Sequence, residues 1–316
     1  MNKIQKIIKA DKIDLFAKVV NKVFSPILSK KEKQLEKLLS PEPSVCPVIV
    51  IVGVPRSGTT LLYQLMTNVF QVGYFDNVSQ LLYPYPLTGL HWSRKIYDNK
   101  PHNVFRSYYG RTYPYSMHAP SEMGIFWQQY FPKEKIILHP KEYQSEIKNV
   151  SKVFDKILRY EKRPFVLKNT YLSVRPAVVN QLPGVKVIHV KRNEEDNALA
   201  LLAARKQFLG NENAWFSVKP PEYNSLIKLS PQEQTAGQVF YLNRFIEQYF
   251  PKRMEITYEE ICSDLDGALK KIQAYTGLEK RPAENIILPK LIFKKRTAQA
   301  EQEEKITTFL EKLKRL

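Results

Sequence analysis

The sequence predicts an α/β fold, a central parallel sheet covered by helices on both faces. Two observations predict it. Val48-Ile49-Val50-Ile51-Val52 runs straight into Gly53-Val54-Pro55-Arg56-Ser57-Gly58-Thr59-Thr60, and a segment with helical apolar spacing follows. This reads as a buried strand, a phosphate loop and a helix, the opening unit of a P-loop NTPase-like sheet. Beyond residue 140, short β-rich runs alternate with helical patterns, which is how a parallel sheet is threaded.

In chain order, residues 3–39 read as a helix. Ile4, Ile7, Ile8, Phe16, Val19, Val20, Val23 and Phe24 recur at helical spacing with lysines between them. This basic amphipathic segment, residues 1–40, either packs on its own domain or lies on a membrane surface through residues 3–24. Pro41-Glu42-Pro43 ends it. Residues 76–131 are aromatic and interrupted by prolines, without clean periodicity, and such a long irregular stretch points to function. Helices are expected over 142–160, 172–182, 194–209, 232–250 and 300–316. Strands are expected over 164–168, 185–190 and 254–257.

Composition narrows the class without naming it. The chain has 316 residues, 43% of them hydrophobic, and the formal net charge is +18. That length supports one sizeable core, and that charge attracts anions of every kind. Cys46 and Cys262 are too few for a disulfide framework or a four-ligand zinc site. Lysines interrupt the N-terminal apolar runs, so no signal peptide is expected. The apolar run 47–54 is too short to span a bilayer. The expected location is cytoplasmic, with peripheral membrane contact left open.

The loop has Walker spacing between Gly53 and Gly58, but Thr59 stands where a nucleotide triphosphatase carries lysine, and the cation is inside the loop at Arg56. A single anionic group held by amides, hydroxyls and one arginine fits better. Pro55-Arg56-Ser57-Gly58-Thr59-Thr60 resembles the 5′-phosphosulfate loop of sulfotransferases, which use 3′-phosphoadenosine-5′-phosphosulfate (PAPS). Arginine at position 56 is similar to the tyrosylprotein and many bacterial members. The resemblance implies a sulfotransferase domain over residues 44–316, with residues 76–131 as an acceptor-binding insert.

A second motif extends it. An apolar strand followed by Arg192-Asn193-Glu194-Glu195-Asp196 resembles the family's 3′-phosphate site. Arg192 follows a buried strand, where ligands of α/β sheets gather. The family's serine eight positions later is Ala200 here. Losing such a hydroxyl contact costs about 0.5–1.5 kcal/mol. Lys191 or the cluster Lys294-Lys295-Arg296 can substitute. Tyr258, in Ile256-Thr257-Tyr258-Glu259-Glu260, resembles the family's adenine contact at the end of a late strand. Lys168 matches the first residue of a Lys-Thr-His element, but Thr170 replaces the histidine that serves as base in the cytosolic branch.

The base must therefore lie elsewhere, within reach of the acceptor hydroxyl. Asp76 is one candidate, because the tyrosylprotein enzymes' Glu offset from the loop arginine lands on the adjacent Asn77. Glu122 is another, in Pro120-Ser121-Glu122, which is similar to a Pro-x-Glu element of some bacterial members. His118 is a third, and His91 remains open. The implied activity is sulfuryl transfer from PAPS to a hydroxyl on a small molecule, glycan or lipid, releasing PAP without a metal. Arg56 and Lys168 would stabilise developing charge. A P-loop small-metabolite kinase and a non-catalytic binder of nucleotides or polyanions are the alternatives. No specific nucleic acid is expected.

Overall fold

Strands β1 (Val48–Val52), β2 (Phe165–Lys168), β3 (Lys186–Lys191) and β4 (Met254–Thr257) form one sheet in the order β2-β1-β3-β4, all parallel. The structure, a computed structural model, describes residues 3–291, 293 and 295–315, and the side chains of its first helix from Ile13 onward. Val50 stands opposite Leu167 on one side and Val187 on the other. All five residues of β1 are buried, as a central parallel strand requires when helices cover both faces.

The alternation along β1 divides the interior in two. Val48, Val50 and Val52 join a core with Phe75, Phe126, Phe154 and Phe165. Ile49 and Ile51 point the other way, into a core with Leu62, Met66, Val190 and Ile272. This is the period-two geometry of a strand buried on both faces.

Helices α1 (Lys3–Lys37) and α2 (Thr59–Val69) flank β1 in the chain. The insert then folds into α3 (Asn77–Leu81), α4 (Pro86–Tyr97) and α5 (Gly124–Gln128). It is therefore less irregular than its sequence suggests. Pro86 sits at the start of α4, where its missing N–H costs nothing. α6 (Gln144–Glu161) leads to β2.

The helix expected over 172–182 is instead a 3₁₀ turn, Thr170–Val174, followed by α7 (Pro176–Val179). Pro176 explains the break, because proline disfavours helical geometry at the residue before it, and Arg175 adopts φ −125° and ψ 57°. After β3 come α8 (Glu194–Ala204), a π turn at Arg205–Leu209, α9 (Tyr223–Leu226) and α10 (Pro231–Tyr249). Ser230 and Glu233 form a capping box at the start of α10.

β4 stops at Thr257, so Tyr258 opens α11 (Tyr258–Ser263) rather than ending a strand. A second capping box, between Thr257 and Glu260, explains this. α12 (Leu265–Thr276), which the sequence reading did not anticipate, and α13 (Ala300–Lys314) complete the chain.

α1 packs on the insert through one face. Ala17, Leu28 and Leu35 are buried, Asn21 Nδ2 donates to Leu81 O at 2.7 Å, and Glu32 accepts from the backbone N–H groups of Leu87 and Thr88. Four of the apolar residues that marked the helix in sequence lie exposed rather than against the insert. Phe16, Val19, Val23 and Phe24 are each half exposed or more.

Phe154 on α6 joins the insert to the sheet. Its ring stacks on Trp127 with centroids 5.8 Å apart and meets Phe75, Phe126 and Phe165 edge-on. Phe154→Ala is expected to lower unfolding free energy by about 3–5 kcal/mol, measured by denaturant titration. A variant as stable as the parent would mean that this ring cluster does not tie insert to sheet.

Candidate functional site

The loop after β1 closes on Gly58, whose φ is +102° and whose missing Cβ leaves room for the Tyr258 ring. A Cβ there would lie 2.7 Å from that ring, so only glycine serves. Arg56 is itself held at φ +73°, an uncommon conformation for a side-chain-bearing residue. The loop is pinned from behind. Gly53 N–H donates to Ser173 Oγ at 3.0 Å, and Asn197 Nδ2 donates to Pro55 O at 2.9 Å. Arg192 Nη1 reaches Arg56 O at 3.4 Å. So fixed, the loop aims the first N–H groups of α2, which have no intrahelical partners, at one spot.

That spot opens into a cavity of about 810 Å³. Pro55, Arg56, Gly58, Thr59 and Thr60 line it, as do Lys168, Arg192, Tyr258, Lys295 and Arg296. Burial pushes Arg56 below the usual arginine range, and the positive charges of Arg296 and Arg192 add to the effect against the Tyr109 hydroxyl. Arg56 Nε, Ser57 Oγ and Arg192 Nε are buried without a hydrogen-bond partner. Like charges gathered around unsatisfied donors make a site complementary to an anion with more than one charged group. The Arg192 guanidinium lies 4.8 Å over the Tyr258 ring and only 3.8 Å from Asp196 Oδ2, a long ion pair.

A carboxylate faces this basic wall. Glu122 pairs with Lys168, which is almost fully buried at the end of β2. Its other oxygen lies 3.4 Å from Thr170 Oγ1, and its backbone carbonyl accepts from Asn169 Nδ2 at 3.0 Å. Glu122 thus reaches position 170, where the sequence lacks histidine, from a different part of the chain. Gly110, at φ +87°, separates Glu122 from the loop. A Cβ there would meet Glu122 Oε1 at 2.7 Å and Thr60 Oγ1 at 3.8 Å. Gly110 and Tyr109 are the central residues of a tight turn closed by mutual backbone bonds between Tyr108 and Arg111. The turn lays the Tyr109 ring under the Arg56 guanidinium, 5.0 Å away, and Tyr109 donates to Gln207. The sequence reading did not single out Tyr109, Asn197 or Ser173. Gly110 inside an aromatic stretch was the one available turn signal.

Two candidate bases lie outside the cavity lining. Asp76 is buried as the N-cap of α3, where Oδ1 accepts from Ser79 N–H and Oγ at 2.8 Å and Oδ2 accepts from Ser93 at 2.5 Å. Burial raises its pKa to about 6. His118 stacks on Tyr97 at 3.8 Å, and burial, with Arg281 nearby, lowers its pKa to about 4. His91 also lies away from the cavity and meets the Tyr160 hydroxyl at 3.2 Å. Capping and stacking are what these groups do where they stand.

Ala200 is buried inside α8 and does not line the cavity. Lys191 turns away from the site toward Glu247 at 2.8 Å and Glu255 at 3.5 Å, because alternate residues of a strand face opposite ways. Of the C-terminal basic cluster, Lys295 and Arg296 line the cavity, while Lys294 falls outside the described residues. The described residues contain no His, Cys, Asp and Glu grouping suited to a metal ion.

A family model described as the sulfotransferase family matches residues 47–282. No curated protein matches the chain. Among solved structures, the sulfotransferase domain from the curacin biosynthetic pathway aligns at 14% identity and TM-score 0.44, covering 82% of this chain and 83% of that one. A sulfotransferase from Mycobacterium avium aligns at 15% identity and TM-score 0.45, covering 90% of this chain and 71% of its own. One from Mycobacterium tuberculosis aligns at 12% identity and TM-score 0.44, covering 93% and 76%.

The buried imidazoles have a consequence for stability. Burial lowers His118 and His189 to about 4 and His102 to about 3, from a usual value of 6.5. Their contribution is full above pH 6.5 and is lost as pH falls through the folded-state values. Asp76, raised to about 6, acts in the opposite sense between that pH and 3.8, as do Glu32 and Glu222, whose pKa values burial also raises. His91, lowered by burial, and Glu255, lowered against the effect of burial by its hydrogen bond from Arg253, act with the three imidazoles. Melting temperature is expected to fall steadily as pH drops from about 6.5 toward 4. His118→Phe, which keeps a ring on Tyr97, should flatten that slope; an unchanged slope would show that His118 does not titrate with unfolding.

Proposed function

Because the chain belongs to the sulfotransferase family, we propose that it transfers a sulfuryl group from PAPS to a hydroxyl acceptor, with Glu122 as general base. The observation that carries this reading is the meeting of Arg56, Arg192 and Arg296 in one cavity with the loop after β1. The donor supplies an activated sulfuryl group and leaves as PAP. Amides of Gly58 to Thr60 hold its 5′-phosphate at the positive end of α2, the Ser57 N–H being bonded to Val54 O at 3.1 Å. Arg192 and Arg296 hold the 3′-phosphate, which explains how the site does without a hydroxyl at Ala200. Tyr258, packed on Gly58, gives the base an aromatic face.

Glu122 accepts the hydroxyl proton as the acceptor oxygen bonds to sulfur and the bond from sulfur to the 5′-phosphate oxygen breaks. Lys168 keeps the carboxylate oriented and, together with Arg56, offsets the charge that develops on the departing phosphate. The orphaned Arg56 Nε, Ser57 Oγ and Arg192 Nε support this assignment, because an anionic ligand satisfies donors that the protein leaves unpaired. Trp127, Phe131, Tyr113 and Phe216 line the rest of the cavity, a surface suited to holding an acceptor by its apolar faces.

Ligand-dependent melting tests the donor. PAP is expected to raise the melting temperature with concentration, above ATP–magnesium and heparin at matched charge. Preference for ATP–magnesium would point to a kinase, and an equal response to all three to a polyanion binder. Glu122→Gln should cut transfer by about a hundredfold or more while PAP stabilisation persists. Arg56→Ala should lose nearly all transfer with the fold intact, read by circular dichroism beside turnover. Near-normal turnover in either variant would remove that residue from the mechanism.

A further inference from the structure

The outer face of α1 is apolar and uncovered. Leu15, Phe16, Val19, Val23, Phe24 and Ile27 are all at least half exposed, with Leu15 and Val23 at 63% and Ile27 at 67%. Most of them follow the spacing of one helical face, opposite the face that packs on the insert through Ala17, Asn21 and Leu28. Contiguous apolar surface of this kind marks a contact site.

The charge around it selects the partner. Lys18, Lys22 and Lys30 are exposed beside the stripe. A depression of about 540 Å³ next to Pro26 is lined by Ser29, Lys30, Lys33 and Lys37. A second copy pairing stripe to stripe would bring these lysines against their own counterparts. An anionic bilayer instead takes the apolar residues below its headgroups and the lysines at the level of its phosphates. No helix among the described residues is long and apolar enough to cross a membrane, so the contact is peripheral.

The stripe also adjoins the cavity. Ile13 and Asp14, immediately before Leu15 and Phe16, line the same space as Glu122 and Arg56. Asp14 accepts from Gln80 at 3.0 Å, and Gln80 in turn accepts from Ser121 beside Glu122. We infer that α1 docks the protein on anionic lipid surfaces and sets the cavity mouth at headgroup level, so that the acceptor is a hydroxyl borne by a membrane amphiphile. The docking stands on the helix alone; the acceptor class rests on the sulfuryl-transfer reading.

Cosedimentation of the full chain with vesicles, without donor, tests the docking. The chain should bind phosphatidylcholine–phosphatidylglycerol vesicles and not phosphatidylcholine alone. Val19→Asp/Val23→Asp, at exposed positions, and Lys18→Glu/Lys22→Glu should each lower partitioning about tenfold or more with unchanged melting temperature. With PAPS present, the same variants should lose transfer to a vesicle-borne hydroxyl amphiphile by the same factor and keep transfer to a soluble phenol. Failure of the parent to bind anionic vesicles overturns the docking whatever the transfer assay gives. So does a concentration-dependent dimer that Val19→Asp/Val23→Asp dissociates, which would assign the stripe to a second copy. Docking without any transfer would overturn the acceptor class and the sulfuryl-transfer reading, leaving the membrane contact standing.

Discussion

Parallel hydrogen bonding of the four strands puts all their carboxyl ends on one edge, and the basic wall of the site is built from that constraint. The loop with Arg56 follows β1, Lys168 ends β2, Arg192 follows β3, and Tyr258 follows β4. None of these residues is near another in sequence except through the sheet. The order β2-β1-β3-β4 puts the loop at the centre, with the lysine on one side and the arginine and tyrosine on the other. Ligands of such sheets collect at that edge because the backbone there ends in loops free to take any composition.

The cost of the arrangement is electrostatic. Burial, with the charges of Arg296 and Arg192 nearby, lowers the proton affinity of Arg56, while buried donors stay unpaired. A protein tolerates this only where rigid packing enforces it. Here the loop carbonyls are tied to Asn197 and Arg192, and its first N–H is tied to Ser173. The Tyr109 ring beneath Arg56 softens the repulsion without neutralising it. The loop is thus fixed in place by the protein alone, before any anion is bound.

The insert and α1 finish what the sheet begins. Glu122 enters from the insert, opposite the cations, and the aromatic cluster of Phe75, Phe126, Trp127 and Phe154 fixes the segment that carries it. α1 lies across α3 and α4, so its position depends on the insert rather than on the sheet. That leaves its far side unconstrained by the core and available to another surface.

The sequence by itself determined the sheet, its loop and the cations at its edge. A strand buried on both faces is a continuous β-branched run, and a phosphate loop needs glycine and hydroxyls at set intervals, so Val48–Val52, Gly58 and Arg192 were readable from local pattern, while Lys168 was marked by the family resemblance. The break at Pro176 and the capping boxes at Thr257 and Ser230 are equally local, and were available in principle. Tertiary structure alone decided which of the candidate bases meets Lys168 in the cavity. Asp76, Glu122 and His118 are alike in sequence terms, and only packing buries the first as a cap, stacks the third on Tyr97 and turns the second onto Lys168. It also decided which way α1 faces. Periodicity shows that a helix has an apolar side, but which side meets the core depends on the shape of what it packs against.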